Sequence, residues 1–281
     1  MKNFIFISPN FPTNYWKFCA ELKKNGMNVL GIGDCPYDQL TPELRGSLNE
    51  YYKVSSLENY DEVFRAVAFL TYKHGKIDWL ESNNEYWLER DAALRTAFNI
   101  ETGFKTADMQ PVKFKSAMKA YYAKAGIKTA RWHLVRDYTG CKDFIAEVGY
   151  PVIVKPDNGV GASHTYKLKS DDELNYFFAT KDETLYIMEE YVNGTVHTYD
   201  AIINSKGEPL FETGNVTMDS IMDIVNTRGN SCYYIEKNLP DAMRDIGRRT
   251  VAAFGVKSRF VHLEFFVLNE DQPALGKKGD I

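Results

Sequence analysis

Tyr150-Pro-Val-Ile-Val-Lys-Pro-Asp-Asn-Gly-Val-Gly-Ala-Ser-His-Thr-Tyr-Lys-Leu168 is the stretch that decides how this chain reads. Val152, Ile153 and Val154 form an unbroken β-branched run, as expected of a strand covered on both faces. Lys155 and Pro156 end the run, and a lysine inside an apolar strand needs a partner. Gly159 and Gly161 let the backbone approach a ligand, and Ser163 adds a hydroxyl donor. Thr165, Lys167 and Lys169 then alternate with Tyr166 and Leu168, which is the period of a second strand. A glycine loop between two strands, with a lysine at its root, is a way of holding phosphates and predicts a nucleoside triphosphate site. It is not the dinucleotide fingerprint, which needs a helix directly after the glycines. The plain alternative is an ordinary hairpin turn, so the loop needs support from the rest of the chain.

The 281 residues are enough for two or three compact modules. A formal net charge of -4 and the lack of a dense Lys/Arg stripe argue against nucleic acid as a partner. Cys19, Cys35, Cys141 and Cys232 stand far apart with no Cys-x-x-Cys pair, which fits free thiols in a reducing compartment. The run Phe4 to Ile7 is too short for a signal-peptide core, and no window approaches a membrane span. The expectation is a cytoplasmic protein with no membrane partner.

The first hundred residues alternate strand and helix signals. Strands are expected at Phe4 to Ile7, Met27 to Ile32 and Ile77 to Leu80, and helices at Asn14 to Asn25, Tyr60 to Lys73 and Glu85 to Asn99. That order predicts a parallel sheet flanked by helices, with ligands beyond the carboxyl ends of the strands. Further on, a helix is expected from Lys113 to Ala125, a strand from Trp132 to Val135, a helix from Cys141 to Val148, the phosphate hairpin, and a helix from Asp171 to Phe178. From Leu185 the pattern turns antiparallel, with strands at Leu185 to Tyr191, His197 to Asn204, Pro209 to Asn215 and Phe260 to Leu268, and a helix from Leu239 to Phe254.

Four features stand in one order: Lys115 on a helix, Lys155 before the glycine loop, the acidic segment Met188-Glu-Glu-Tyr-Val192, and His262-Leu-Glu264-Phe-Phe-Val267. The set resembles the ATP-grasp superfamily of carboxylate–amine ligases, especially the carbamoyl-phosphate-synthase-like branch, over nearly the whole chain. The resemblance implies an α/β and α+β architecture: an N-terminal parallel α/β domain over residues 1–104, then two α+β subdomains, 105–184 and 185–281, that clamp ATP. It implies ATP and Mg2+ as cofactors and small-molecule carboxylate and amine substrates, and it leaves room for a homodimer. The carboxylate would attack the γ-phosphate, giving an acyl phosphate and ADP, and the amine would displace the phosphate.

Carried over by position, Lys115 and Lys155 would meet the phosphates, and Gly159, Gly161 and Ser163 would fold over them. Glu189 would face the adenine amino group, the Glu190 carbonyl and Val192 N–H would pair with the ring, and Glu264 would hold magnesium. His197 matches a ribose contact of biotin carboxylase; the glutamate that other members place there falls at Val196. Catalytic candidates are His262 and Arg228, and acceptor-site candidates are Asn10, Asn84 and Glu85. Each has a plainer reading: Lys115 as a surface lysine, Glu189 and Glu190 on an exposed strand, His262 and Glu264 as a bonded pair or zinc half-site, and Asn84 and Glu85 as helix caps.

The family's second magnesium carboxylate, in a Glu-x-Asn motif after Glu264, is missing. The chain runs through Asn269-Glu-Asp-Gln-Pro273 and Leu275-Gly-Lys-Lys-Gly-Asp280 to Ile281, with Glu270 and Asp271 in the expected turn as poor substitutes. The expectation is a C-terminally truncated ligase with impaired turnover; full turnover by this chain, abolished by Glu264→Ala, would refute it. A non-catalytic ATP-binding module is the alternative. A protein-kinase-like reading fails because Lys155 precedes the glycine loop and His-Arg-Asp and Asp-Phe-Gly are lacking.

Overall fold

The computed structural model describes residues 1–159, 164–218, 230 and 232–281, so the expectations at Gly161, Ser163 and Arg228 lie outside the described residues. The chain divides into two compact units, Met1–Met109 and Gln110–Ile281.

The first unit runs β1 (Asn3–Ile7), α1 (Trp16–Lys24), β2 (Asn28–Gly33), α2 (Pro42–Ser47), β3 (Glu50–Lys53), α3 (Tyr60–His74), β4 (Trp79–Glu81) and α4 (Leu88–Ala97). Its four strands are parallel in the order β3-β2-β1-β4. β1 is buried along its whole length, as its Phe-Ile-Phe-Ile run requires. Ile5, Leu30, Val67 and Leu80 lie in the core on one face, and Phe6, Cys19 and Val29 in that on the other. The sequence reading did not anticipate α2 and β3. The first is six residues long, too short to show a helical period, and begins at a Thr41 cap that accepts from the Leu44 amide. The second, Glu50-Tyr-Tyr-Lys53, is an edge strand, where charge guards against unwanted pairing. The helix expected from Glu85 is a 3-10 turn over Glu85–Trp87 followed by α4.

The second unit opens with α5 (Gln110–Lys113) and α6 (Lys115–Lys124), where one helix was expected. The break at Phe114 has a local cause: the Lys115 amide donates to the Asp157 carbonyl (2.9 Å) and the Ser116 amide to Asp157 Oδ1 (2.7 Å). A residue from the hairpin root thus caps α6. Next come β5 (Trp132–Val135), α7 (Tyr138–Val148), β6 (Val152–Pro156), β7 (Tyr166–Leu168), α8 (Asp171–Thr180) and β8 (Tyr186–Glu190). The strands form an antiparallel sheet in the order β5-β8-β6-β7. Val152, Val154 and Met188 on one face share a core with Phe144 and Ile145 of α7 and Leu174 and Phe177 of α8.

The remaining elements are β9 (Gly194–Ile203), β10 (Pro209–Thr213), β11 (Asn215–Thr217), β12 (Tyr233–Ile235), α9 (Asp241–Ala253) and β13 (Arg259–Leu268). β9 is the spine of this second sheet: all ten of its residues pair with β13, and its other edge pairs with β10 and β11. α9 starts two residues later than expected because Pro240 is its cap residue. It lies against β9 so closely that a Cβ on Gly247 would come within 2.3 Å of the Tyr199 ring. Alanine normally favours a helix over glycine by about 0.5–1 kcal/mol. Forcing a methyl group against a buried ring costs about 1–3 kcal/mol, so the overlap wins. Gly247→Ala is therefore expected to lower the urea midpoint of unfolding; an unchanged or higher midpoint would mean that the helix can withdraw freely.

Candidate active site

The face of the β6–β8 sheet opposite the α7 and α8 core carries the charged groups. Register pairs Lys155 with Ile187 and Ile153 with Glu189, so alternation puts all four side chains on that face. Glu189 is buried there, and both of its oxygens are taken: Lys119 Nζ of α6 lies 2.5 Å from Oε1, and Lys155 Nζ lies 2.5 Å from Oε2. Burial alone would push the Glu189 carboxyl pKa up, but Lys155 and Lys119 outweigh it and pull it down to about 2. Lys155, a strand lysine in need of a partner, has Glu189 as one, while Lys119 was not anticipated. Its only signal is the four-residue spacing from Lys115, which puts both lysines on one side of α6.

Lys115 stands at the hairpin root, its Nζ donating to the Gly159 carbonyl at 3.2 Å. Beside it Ser116 Oγ donates to Asp157 Oδ2 at 2.7 Å, so the nearly inaccessible Asp157 holds α6 to the hairpin. Asp157 also escaped the sequence reading, although it follows Lys155 and Pro156 directly.

Glu190 points the other way, into a pairing with Arg131. The guanidinium donates through Nη2 (2.7 Å) and Nε (2.9 Å) to Oε2, and the Arg131 amide donates to Oε1 at 2.7 Å. After it, Gln272 clamps the segment that includes Val192: its Nε2 donates to the Tyr191 carbonyl (3.0 Å) and its Oε1 accepts from the Asn193 amide (2.8 Å). Glu270 accepts from Asn193 Nδ2 at 2.8 Å, and Asp271 pairs with Lys277 at 2.9 Å, so both turn carboxylates have structural partners.

On the second sheet, Thr198, Asp200, His262 and Glu264 share one face and touch in series. Thr198 Oγ1 donates to Asp200 Oδ2 (2.5 Å), His262 Nδ1 lies 2.6 Å from Asp200 Oδ1, and His262 Nε2 lies 3.6 Å from Glu264 Oε1. The bond to Asp200 first, and the Glu264 contact second, raise the imidazole pKa to about 10. Asp200 was missed, though it alternates with Thr198 along β9. The β9–β13 register sets His197 with Tyr199 and Phe265 on the opposite face, and Val196 on the face of Glu264. Burial, then Glu189, then Glu264 raise the phenol pKa of Tyr122 on α6. Among the described residues no group of three or more His, Cys, Asp or Glu side chains forms a metal cage. Magnesium, however, is commonly held by one or two carboxylates plus substrate phosphates, and the half-exposed Glu264 suits that role.

In the first unit, Asn10 Oδ1 is buried with no hydrogen-bond partner among the described residues. Asn84 accepts from the Tyr86 amide at 3.0 Å, so it does cap the following turn, while Glu85 is exposed. A buried cluster at the end of β4 was not anticipated. Arg95 reaches Glu81 at 3.3 Å, and Asp91 accepts from the Ser82 amide (2.9 Å) and hydroxyl (2.7 Å). Burial, then Glu81, raise the Asp91 pKa to about 7.

The depressed pKa of Glu189 carries a pH signature. Its stabilising contribution is fully present above the ordinary value of 4.5 and is lost as pH falls towards about 2. By linkage, a shift of that size is worth on the order of 3 kcal/mol. Wild type is expected to be more stable than Glu189→Gln near neutrality, with the gap closing between pH 4.5 and 2. Parallel stability curves across that range, measured by denaturant unfolding, would contradict the ion cluster.

Residues 135–273 match the ATP-grasp domain. Coenzyme gamma-F420-2:alpha-L-glutamate ligase of Methanococcus maripaludis is 29% identical over 134 residues, covering 46% of this chain and 42% of the relative. The L-arginine-specific L-amino acid ligase of Bacillus subtilis is 24% identical over 227 residues, covering 76% of this chain and 54% of the relative. The chain thus spans about half the length of these curated relatives. The crystal structure of L-amino acid ligase from Bacillus licheniformis superposes with a TM-score of 0.70 at 17% identity, over 100% of this chain and 67% of that one. The chain carries an ATP-grasp domain and has the fold of the ATP-grasp ligases.

Proposed function

We propose that the chain is an ATP-dependent ligase that joins a small-molecule carboxylate to an amine through an acyl phosphate, with release of ADP. The observation that carries this reading is the cationic cluster at the hairpin root. Lys119 and Lys155 converge from two elements on the Glu189 carboxylate, two ammoniums to one buried anion, with Lys115 standing at the hairpin root. A polyanion at that point offsets the excess.

In this reading Lys115 and Lys155 hold the phosphates, and the backbone at Gly159, with Gly161 and Ser163 beyond it, covers them. Glu189 accepts from the adenine amino group, while the Glu190 carbonyl and the Val192 N–H meet the ring edge. The Glu190 side chain serves instead to fix the strand through Arg131. Val196 and Thr198, rather than His197, are the β9 residues nearest in register to the face of Glu264. Glu264 is the magnesium carboxylate, and bound magnesium would neutralise charge developing between the phosphates. His262, fixed by Asp200, orients Glu264. Asn10, with its unpartnered oxygen, is an acceptor-site candidate that can take a donor group such as an ammonium. An alpha-L-glutamate ligase and an L-amino acid ligase among the relatives support an amino acid as one substrate.

The chemistry needs little covalent help from the protein. The lysines hold the γ-phosphate for in-line attack by the substrate carboxylate, ADP departs, and the amine then displaces phosphate from the acyl carbon. Mixing the chain with ATP, magnesium and pairs of amino acids is expected to release ADP and phosphate only when both an acid and an amine are supplied. Release in the absence of both, or ATP binding without any release across such a screen, would instead favour hydrolysis or a non-catalytic binding module. Lys155→Ala removes a charge-assisted contact worth roughly 1.5–3 kcal/mol and is expected to weaken ATP binding by about 10- to 100-fold. Unchanged affinity would remove Lys155 from the site. Glu264→Ala is expected to spare metal-free nucleotide binding and abolish only its enhancement by magnesium.

A further inference from the structure

Lys119 has no role in the reaction outlined above, yet it is one of the better-buried lysines of the site, with a side chain only 14% exposed. It stands on α6, whereas Lys155 stands on β6, and the two ammoniums hold the two oxygens of Glu189 from different elements. The carboxylate is therefore fixed in orientation by two partners.

The two partners differ in what a nucleotide would ask of them. Lys155 is at the root of the phosphate hairpin, so a bound nucleotide draws on its donors. Lys119 lies one helical turn beyond Lys115, away from the hairpin root, so its bond to Glu189 does not compete with phosphates held there. An ionised carboxylate can only accept hydrogen bonds. Adenine carries an amino donor at C6 next to the N7 acceptor, whereas guanine and its relatives carry an oxygen acceptor at C6.

We infer that Lys119 is a positioning residue that sets the base selectivity of the site, by holding Glu189 as a fixed, ionised acceptor that admits 6-aminopurine nucleotides and rejects 6-oxopurine ones. This inference rests on the nucleotide site proposed above. A 6-oxo group set against Glu189 would bring two acceptors together with no proton between them, and leaving buried polar groups unpaired costs more than the loss of one hydrogen bond. The low pKa of Glu189 agrees with a carboxylate that stays ionised despite its burial. With a neutral side chain in place of Lys119, the carboxylate keeps one fixed partner, gains freedom to turn, and can share a proton with a 6-oxo group.

The test is equilibrium binding of non-hydrolysable ATP and ITP analogues to the whole chain, at one magnesium concentration, for wild type, Lys119→Gln, Lys119→Arg and Glu189→Gln. ITP differs from ATP in its C6 oxygen and the proton that N1 carries with it, so phosphate and ribose contacts cancel in the ratio and the N1 difference cancels between variants. Wild type is expected to prefer the ATP analogue by about a hundredfold or more. Lys119→Gln is expected to cut that ratio about tenfold, and Lys119→Arg, which keeps the charge, to restore most of it. Glu189→Gln, whose amide can donate to an oxygen, should gain affinity for the ITP analogue. A Lys119→Gln variant that lowers both affinities by the same factor would show a merely structural lysine and overturn the inference, as would one that changes neither. Equal binding of the two analogues by wild type would overturn it as well, leaving the nucleotide site standing. Binding of neither analogue by wild type would overturn the nucleotide site itself. Should Lys119→Gln fail to fold, Lys119→Met, which also removes the charge but keeps the length of the side chain, is read in its place with the same expected and overturning ratios.

Discussion

A buried carboxylate between two ammoniums is the constraint on which the second unit depends. Glu189 sits on β8, Lys155 on β6 and Lys119 on α6, so one charge cluster joins three elements. Removing a carboxylate from water is costly, and only partners within bonding distance offset that cost. Here two of them do so and overshoot, leaving a surplus of positive charge at the mouth of the hairpin. A hydrophobic trio of the same volume would hold the strands together equally well, but it would give an anion nothing to bind. The cluster is thus better explained by ligand chemistry than by stability.

Three further sets of contacts hold the rest of the site in place around that cluster. Asp157 gives its carbonyl and carboxylate to the first amides of α6, so the helix carrying Lys115 and Lys119 cannot move independently of the hairpin root. Gln272 holds the segment between the two sheets through the Tyr191 carbonyl and the Asn193 amide. The Asp200–His262–Glu264 series then holds Glu264 on the second sheet. Each of these ties a polar or charged side chain to a backbone group or a charge, the arrangement expected where geometry must be kept within a fraction of an ångström.

What the sequence revealed follows from which forces act locally. The β-branched run Val152 to Val154 could only be a covered strand, and the lysine at its end had to find a partner. Lys119 was invisible because a lysine on a helix is ordinarily a surface group, and only the fold brings Glu189 to it. β3 and β12 escaped notice because edge strands need not alternate: one is charged at both ends and the other, Tyr233–Ile235, is exposed at all three residues. His197 shows how far parity depends on partners. β9 begins at Gly194, three residues before the expected start, and only its pairing with β13 fixes which side chains share a face with Glu264. The α/β and α+β character was legible because period and glycine punctuation are local; the ion clusters, which join residues tens of positions apart, were not.

The account stands most directly on where a nucleotide lies. A crystal structure of the chain with a bound non-hydrolysable ATP analogue and magnesium would answer this. The expected result has the phosphates at Lys115 and Lys155, the base amino group within hydrogen-bonding distance of Glu189, and Lys119 still bonded to that carboxylate. A nucleotide bound elsewhere, with the Lys119–Glu189–Lys155 cluster closed and unchanged, would contradict the account and make the cluster a structural element alone.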